Sequence, residues 1–213
     1  MTDPEYPDPG TRNVLEPDCA RCPALVDSRE RISWGNGSLD AAVMVVGEAP
    51  GAGTPDAERW KGGNWTGLAY TARHSGRIVR RMFEDIGYGP EDLYVTNAVK
   101  CFPEGEAGDN REPTDEELRT CFSHLSTELD RVDPAVVVAT GRHAARILLG
   151  REGIELDGFV ESVLDPVECP TLGVTVLPIL HPAYQHVWLS RLGYDRDSYV
   201  AALSEVVDAL VDC

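Results

Sequence analysis

Lysine is almost absent from this chain. Of 19 basic residues only Lys61 and Lys100 are lysine, against 36 acidic residues and a formal net charge of -17. A surface this acidic either repels nucleic acid and suits a basic partner, or marks adaptation to very high salt. The acid is spread along the whole chain and not gathered into a tail, which favours the second reading, so net charge says little about partners. Long apolar runs are missing too. Nothing approaches the roughly 20 apolar residues of a membrane span, and the opening MTDPEYPDPGTRN has no apolar signal region. A cytoplasmic protein with no membrane partner is expected. Cysteine is sparse, at six in 213 residues, and in a reducing compartment such residues argue for metal ligation over a disulfide framework. The phosphate-loop pattern G-x-x-x-x-G-K-[ST] is absent, and no internal repeat is visible.

Four of the cysteines form a pattern. Cys19 and Cys22 make a C-x-x-C, and Cys101 and Cys121 form a second, wider pair. Two thiolates from one turn can reach a single metal centre, and two more from elsewhere close its shell. The pattern alone does not name the metal. Cys169 and Cys213 match nothing and read as incidental.

Between the pairs lie apolar runs of β type: 41–46 (AAVMVV), 93–96 (LYVT), 134–140 (PAVVVAT) and 174–180 (VTVLPIL). Amphipathic helix candidates alternate with them at 75–86, 114–131, 142–149 and 197–211. Continuous apolar strands alternating with helices predict an α/β fold, a three-layer α/β/α domain around a four-stranded, mainly parallel sheet. Residues 19–213 read as that domain, 1–18 as a flexible, proline- and acid-rich arm, and 150–173 as a loop or extra hairpin.

Each strand ends in a polar segment, where open α/β sheets place their ligands. Gly47-Glu48-Ala49-Pro50-Gly51 is a tight loop whose amides can approach a ligand, with Glu48 projecting as a base or cation-stabilising carboxylate. Taken alone it is equally a plain strand-to-helix turn. Gly62-Gly63-Asn64-Trp65-Thr66-Gly67 frames an aromatic that could stack on a flipped base, though a tryptophan loop anchor is the more ordinary role. Asn97 can read a base edge or cap a strand. His181 can donate to a developing oxyanion or be structural.

In order, Cys19-Ala20-Arg21-Cys22-Pro23, GEAPG, GNWTG, Thr96-Asn97-Ala98-Val99-Lys100-Cys101, Cys121 and Leu180-His181-Pro182-Ala183-Tyr184 form a more specific set than any member. From about Cys19 to Trp188 the chain resembles family 4 uracil-DNA glycosylases, the iron–sulfur members of the uracil-DNA glycosylase superfamily. The resemblance implies a [4Fe-4S] cluster on Cys19, Cys22, Cys101 and Cys121, with zinc the alternative occupant. It implies uracil stacking on Trp65, edge reading by Asn97, and stabilisation of charge on O2 by His181. Glu48 and the amides of Gly47, Ala49, Pro50 and Gly51's loop would support the sugar cation or the attacking water. The expected reaction is monofunctional hydrolysis of uracil from DNA, leaving an abasic site for base excision repair.

Phosphate contacts are expected from Arg73, Arg77, Arg80, Arg142 and Arg191. A monomer is expected, with a sliding clamp or other repair proteins left open as partners. The chain departs from the family pattern at Thr54, where a second acid is usual, and at Asn64-Trp65, where Pro-Phe is usual. Extra residues follow at 68–74, and the Cys101–Cys121 spacing is long. The loop Phe102–Arg111 is acidic and lacks histidine, which disfavours the subclass that captures DNA covalently. The alternative function is a non-catalytic or altered-specificity nucleic-acid-binding paralogue that keeps fold and cluster.

Overall fold

The computed structural model describes residues 3–156 and 158–212. Among them six strands form one sheet: β1 (Asn36–Gly37), β2 (Val43–Gly47), β3 (Leu93–Asn97), β4 (Val136–Thr140), β5 (Val167–Cys169) and β6 (Val174–Ile179), in the order β1-β3-β2-β4-β6-β5. The four expected strands are its centre, and β3-β2-β4-β6 pair in parallel throughout. The expected count of four is corrected by two short edge strands, β1 and β5, both antiparallel. Neither has an apolar run to announce it: β1 is Asn-Gly, and β5 is the outer arm of a hairpin within 150–173.

The parallel strands are buried along both faces, as their unbroken Val-rich runs require. Val43, Val45, Val136 and Val138 point to one side, against Val79, Met82 and Phe83 of α3 (Ser75–Asp85) and Tyr199, Leu203 and Val207 of α7 (Arg196–Val211). Met44, Val46, Val137 and Ala139 point to the other, against Leu125 and Leu129 of α4 (Asp115–Val132) and Leu148 and Leu149 of α5 (Arg142–Leu149). The period-2 alternation of side chains thus sorts one strand's residues into two helical layers. Three one- or two-turn helices complete the set: α1 (Pro23–Ser28), α2 (Gly63–Thr66) and α6 (Gln185–Trp188). Among the described residues no helix is long and apolar enough to cross a membrane.

Local signals fix the long helices. At the start of α4 the Thr114 hydroxyl accepts from Glu117 N at 3.2 Å and Glu117 Oε2 accepts from Thr114 N at 2.8 Å, a reciprocal cap on a first turn already rich in acid. Glu117 also accepts two hydrogen bonds of 2.7 Å from Arg111, which ties the segment before α4 to the helix.

The first residues behave differently from the flexible arm expected of them. Pro4 and Pro7 are buried, and Tyr6 meets the Trp60 ring edge-on at 5.0 Å. Arg12 donates to the carbonyls of Gly67 and Ile32, and Asn13 N donates to Gly35 O at 2.8 Å. Prolines lower the entropy of the unfolded segment, so a few backbone contacts suffice to order it.

A buried ion pair joins the strand that ends in Asn97 to α4. Lys100 Nζ lies 2.5 Å from Glu128 Oε2, with side-chain exposures of 1% and 0%, and also donates to Thr96 Oγ1 and Asn97 O. Glu128 accepts further bonds from Thr96 and Tyr94 hydroxyls and from Gly35 N. Removing one partner strands the other charge in the core. Lys100→Met is therefore expected to cost about 3–5 kcal/mol in urea denaturation, and Lys100→Met/Glu128→Leu to recover part of that loss.

Candidate functional site

The strand order reverses between β2 and β4, and the polar ends of the four parallel strands converge on a cleft there. Its volume is ≈ 340 Å³, and Gly47, Glu48, Pro50, Gly51, Tyr70, Asn97, Thr140 and His181 are in its walls. A second groove opens beside it past Glu48, Thr140 and His181, toward Arg142, Phe159, Tyr184 and Trp188.

Pairing holds the first wall. Gly47 is opposite Asn97 in register, and the pattern runs on past the strands, with Ala98 N donating to Gly47 O and Val99 N to Glu48 O, both at 2.8 Å. Glycine is required at 47 by close approach. A Cβ there would lie 2.5 Å from Asn97 Oδ1 and 2.6 Å from the Tyr70 hydroxyl. Asn110 secures the loop from the far side, its Oδ1 accepting from Ala52 N at 3.0 Å.

Tyr70 is the residue that sequence reasoning missed. Its phenol is hydrogen-bonded to the Thr140 hydroxyl at the end of β4 and its ring lines the cleft. Its backbone has φ 55°, a left-handed conformation that a bulky residue adopts only when surroundings impose it. The imposing group is Arg80, buried on α3, whose guanidinium donates to Tyr70 O, Ala69 O and Asn36 Oδ1. Arg80 is thus committed inside the fold, which removes it from the expected phosphate contacts. Arg77 pairs with Asp3, Arg191 lies over the Trp188 ring, and Arg73 and Arg142 stand at the rims of the two clefts.

Trp65 does not line the cleft. Its indole N–H donates to Ala52 O at 2.8 Å and its Cδ1 sits close to Gly53, so it anchors the 51–54 loop from behind. The aromatic in the cleft comes from the extra residues at 68–74 instead. Reading motifs in order pointed to the glycine-framed Trp65, and the Trp34–Leu68 and Lys61–Ala72 bridges bring the later aromatic round.

The titratable groups are tuned by burial. The Glu48 carboxyl is raised above its ordinary range, first by desolvation and further by Glu112, with His143 opposing. The His181 imidazole is lowered, by burial and then by His143, so at neutral pH it is the neutral, single-donor form. No lysine is among the described residues lining the cleft; Lys100 is spent on Glu128.

Just past the same end of β3, Cys19, Cys22, Cys101 and Cys121 line one small chamber with Leu25, Ile32 and Trp34. All four thiols are free. Burial pushes Cys22 and Cys101 up and Cys121 up to about 11, so four thiolates here need a cation among them. Donors already face two sulfurs: Arg29 Nη1 is 3.2 Å from Cys101 Sγ and Lys100 N is 3.3 Å from Cys121 Sγ. This donor set fits a thiolate-bound metal group. Cys169 is buried in β5 away from it, and Cys213 lies outside the described residues.

A sequence profile of the Uracil DNA glycosylase superfamily matches residues 34–206. The chain belongs to the uracil-DNA glycosylase superfamily. It is 33% identical over 167 residues to a type-4 uracil-DNA glycosylase of Archaeoglobus fulgidus, covering 78% of this chain and 76% of that one. It is 30% identical to the type-4 enzyme of Thermotoga maritima over 78% of this chain and 77% of the relative. It is also 32% identical to a type-5 uracil-DNA glycosylase of Pyrobaculum aerophilum over 82% of each. For a superfamily member, the cleft and the cysteine chamber stand at opposite sides of the same strand end, Asn97 to Cys101.

Gly47→Ala is expected to force Asn97 and Tyr70 apart. Its expected cost is about 1–3 kcal/mol, the usual penalty for overpacking, read as a lowered thermal midpoint.

Proposed function

We propose that this protein is a uracil-DNA glycosylase that hydrolyses the N-glycosidic bond of a uridine flipped out of DNA, leaving an abasic site. The observation that carries this reading is the convergence of Asn97, Tyr70, His181 and Glu48 on one cleft of ≈ 340 Å³. A base inside duplex is unreachable, so the nucleotide must be extruded first. The Asn97 amide then offers a donor to uracil O4 and an acceptor to N3–H, whereas cytosine presents the opposite pattern. Tyr70 supplies the aromatic wall that sequence order had given to Trp65.

Hydrolysis breaks C1′–N1 and forms a bond from C1′ to water oxygen. The electron pair of the broken bond moves into the uracil ring, and neutral His181 donates its N–H toward O2 as charge gathers there. Glu48 faces the sugar, where its negative charge offsets the cation developing at C1′ and orients the attacking water. The water's proton is released to solvent or to the departing base. Without a lysine in the cleft no Schiff base forms, so the backbone stays intact.

Cys19, Cys22, Cys101 and Cys121 would hold a [4Fe-4S] cluster. When bound it would offset the charge of the four thiolates and cross-link α1, the end of β3 and α4 beside the pocket. Phosphate contacts fall to Arg73 and Arg142, since Arg80 is buried.

Purified protein incubated with a single-uracil oligonucleotide, followed by alkaline cleavage at abasic sites, tests the reading. Wild type is expected to give product. His181→Ala should slow single-turnover release about 10²–10³-fold, the usual loss for one oxyanion donor. Tyr70→Ala should lose about 1–3 kcal/mol of base stacking, with Trp65→Ala acting on stability instead. Absence of product from wild type with bound iron would overturn the glycosylase reading in favour of a non-catalytic paralogue. For the cluster, Cys121→Ser is expected to abolish visible iron–sulfur absorbance and lower the iron content measured by chelation.

A further inference from the structure

His143 occupies the first turn of α5 with a carboxylate on either side of its ring. Nε2 lies 3.1 Å from Glu112 Oε1 and Nδ1 lies 3.8 Å from Glu48 Oε1. The three groups arrive from separate elements: the loop after β2, the segment leading into α4, and α5 itself. Neutral imidazole carries one N–H, so it can serve one carboxylate while offering the other a lone pair. Doubly protonated, it serves both at once.

We propose that His143 is a positioning residue for Glu48, pinned by Glu112, that in its protonated form keeps the Glu48 carboxylate ionised and turned to the cleft. The inference rests on the glycosylase reading for its effect on catalysis, but not for its effect on Glu48 itself. Other charges face this group from every side. Arg111 comes from the segment entering α4, Asp115 from the first turn of α4, and His181 from just past the end of β6. Arg142 and Arg146 share α5, and Arg146 is 3.4 Å from Asp115. Among these, burial and Glu112 push the Glu48 carboxyl up, and His143 is the opposing influence. Glu48 can offset a sugar cation only when ionised, so the rate falls as pH drops through its pKa. Losing the His143 charge raises that pKa and moves the acid limb to higher pH.

The test compares wild type, His143→Gln and His143→Arg, side chains a third exposed at this position and open to exchange without disturbing the core. Single-turnover uracil release is followed against pH, and the Glu48 carboxyl is titrated by carbon-13 NMR, its signal assigned by its loss in Glu48→Gln. His143→Gln is expected to shift both the acid limb and the carboxyl titration upward by about one unit, about tenfold in rate on the acid side. His143→Arg, which keeps the charge, should restore both toward wild type, a rescue no packing role would give. The proposal is overturned if the Gln variant titrates as wild type does, or if Arg shifts Glu48 as far as Gln. Should wild type release no uracil at any pH, the glycosylase reading fails, and the carboxyl titration still decides the role of His143.

Discussion

The Lys100–Glu128 ion pair is the constraint on which the rest of this molecule depends. A lysine ammonium with 1% exposure is tolerable only if each of its protons finds oxygen, and here Glu128, Thr96 and Asn97 O provide it. The same residue's backbone N–H faces Cys121 Sγ and its carbonyl accepts from Ser33 N. One residue therefore fastens the strand end that presents Asn97, the helix that carries Cys121 and the segment before β1. Such a network is all-or-nothing: with every member satisfied it specifies a single arrangement, and with one missing it becomes a liability.

A second buried cation does comparable work on the opposite layer. Arg80 holds the carbonyls of Ala69 and Tyr70 and thereby maintains a left-handed tyrosine that would otherwise relax. The cleft is thus bounded by two residues, Asn97 and Tyr70, each placed by a charge hidden behind it. Gly47 leaves just enough room for both to meet. In a chain so acidic, two of the 19 basic residues are nonetheless spent on internal architecture.

The cleft itself separates functions by environment. His181 is half-buried, and desolvation lowers its imidazole toward the neutral form. Glu48 is half-buried and shares its surroundings with His143, Glu112 and the rim of the wider groove. Desolvation disfavours the charged form of both groups, raising Glu48 and lowering His181, and the His143 beside Glu48 is what opposes that push on the carboxyl.

The sequence by itself determined the layers and the ends of the strands. Unbroken valine runs such as Val43–Val46 and Val136–Val138 can only be strands covered on both faces, and their polar endings Glu48, Asn97 and His181 do converge on one cleft. The four cysteines were legible for the same reason, since ligand spacing is local in part and the chemistry of thiolates is specific. What tertiary structure alone decided was every choice that depends on residues far apart in the chain. The edge strands β1 and β5 carry no periodic signal and exist because a neighbouring strand offers hydrogen bonds. Trp65 and Tyr70 are equally plausible aromatics until Arg80 twists the backbone and brings one to the cleft while the other pins a loop. Glu112 had no motif at all, and His143 stood only in the polar segment Gly141-Arg142-His143 after β4. They matter because the packing of α5 against the segment before α4 sets one imidazole between two carboxylates, a relation of distance and burial that no linear pattern encodes.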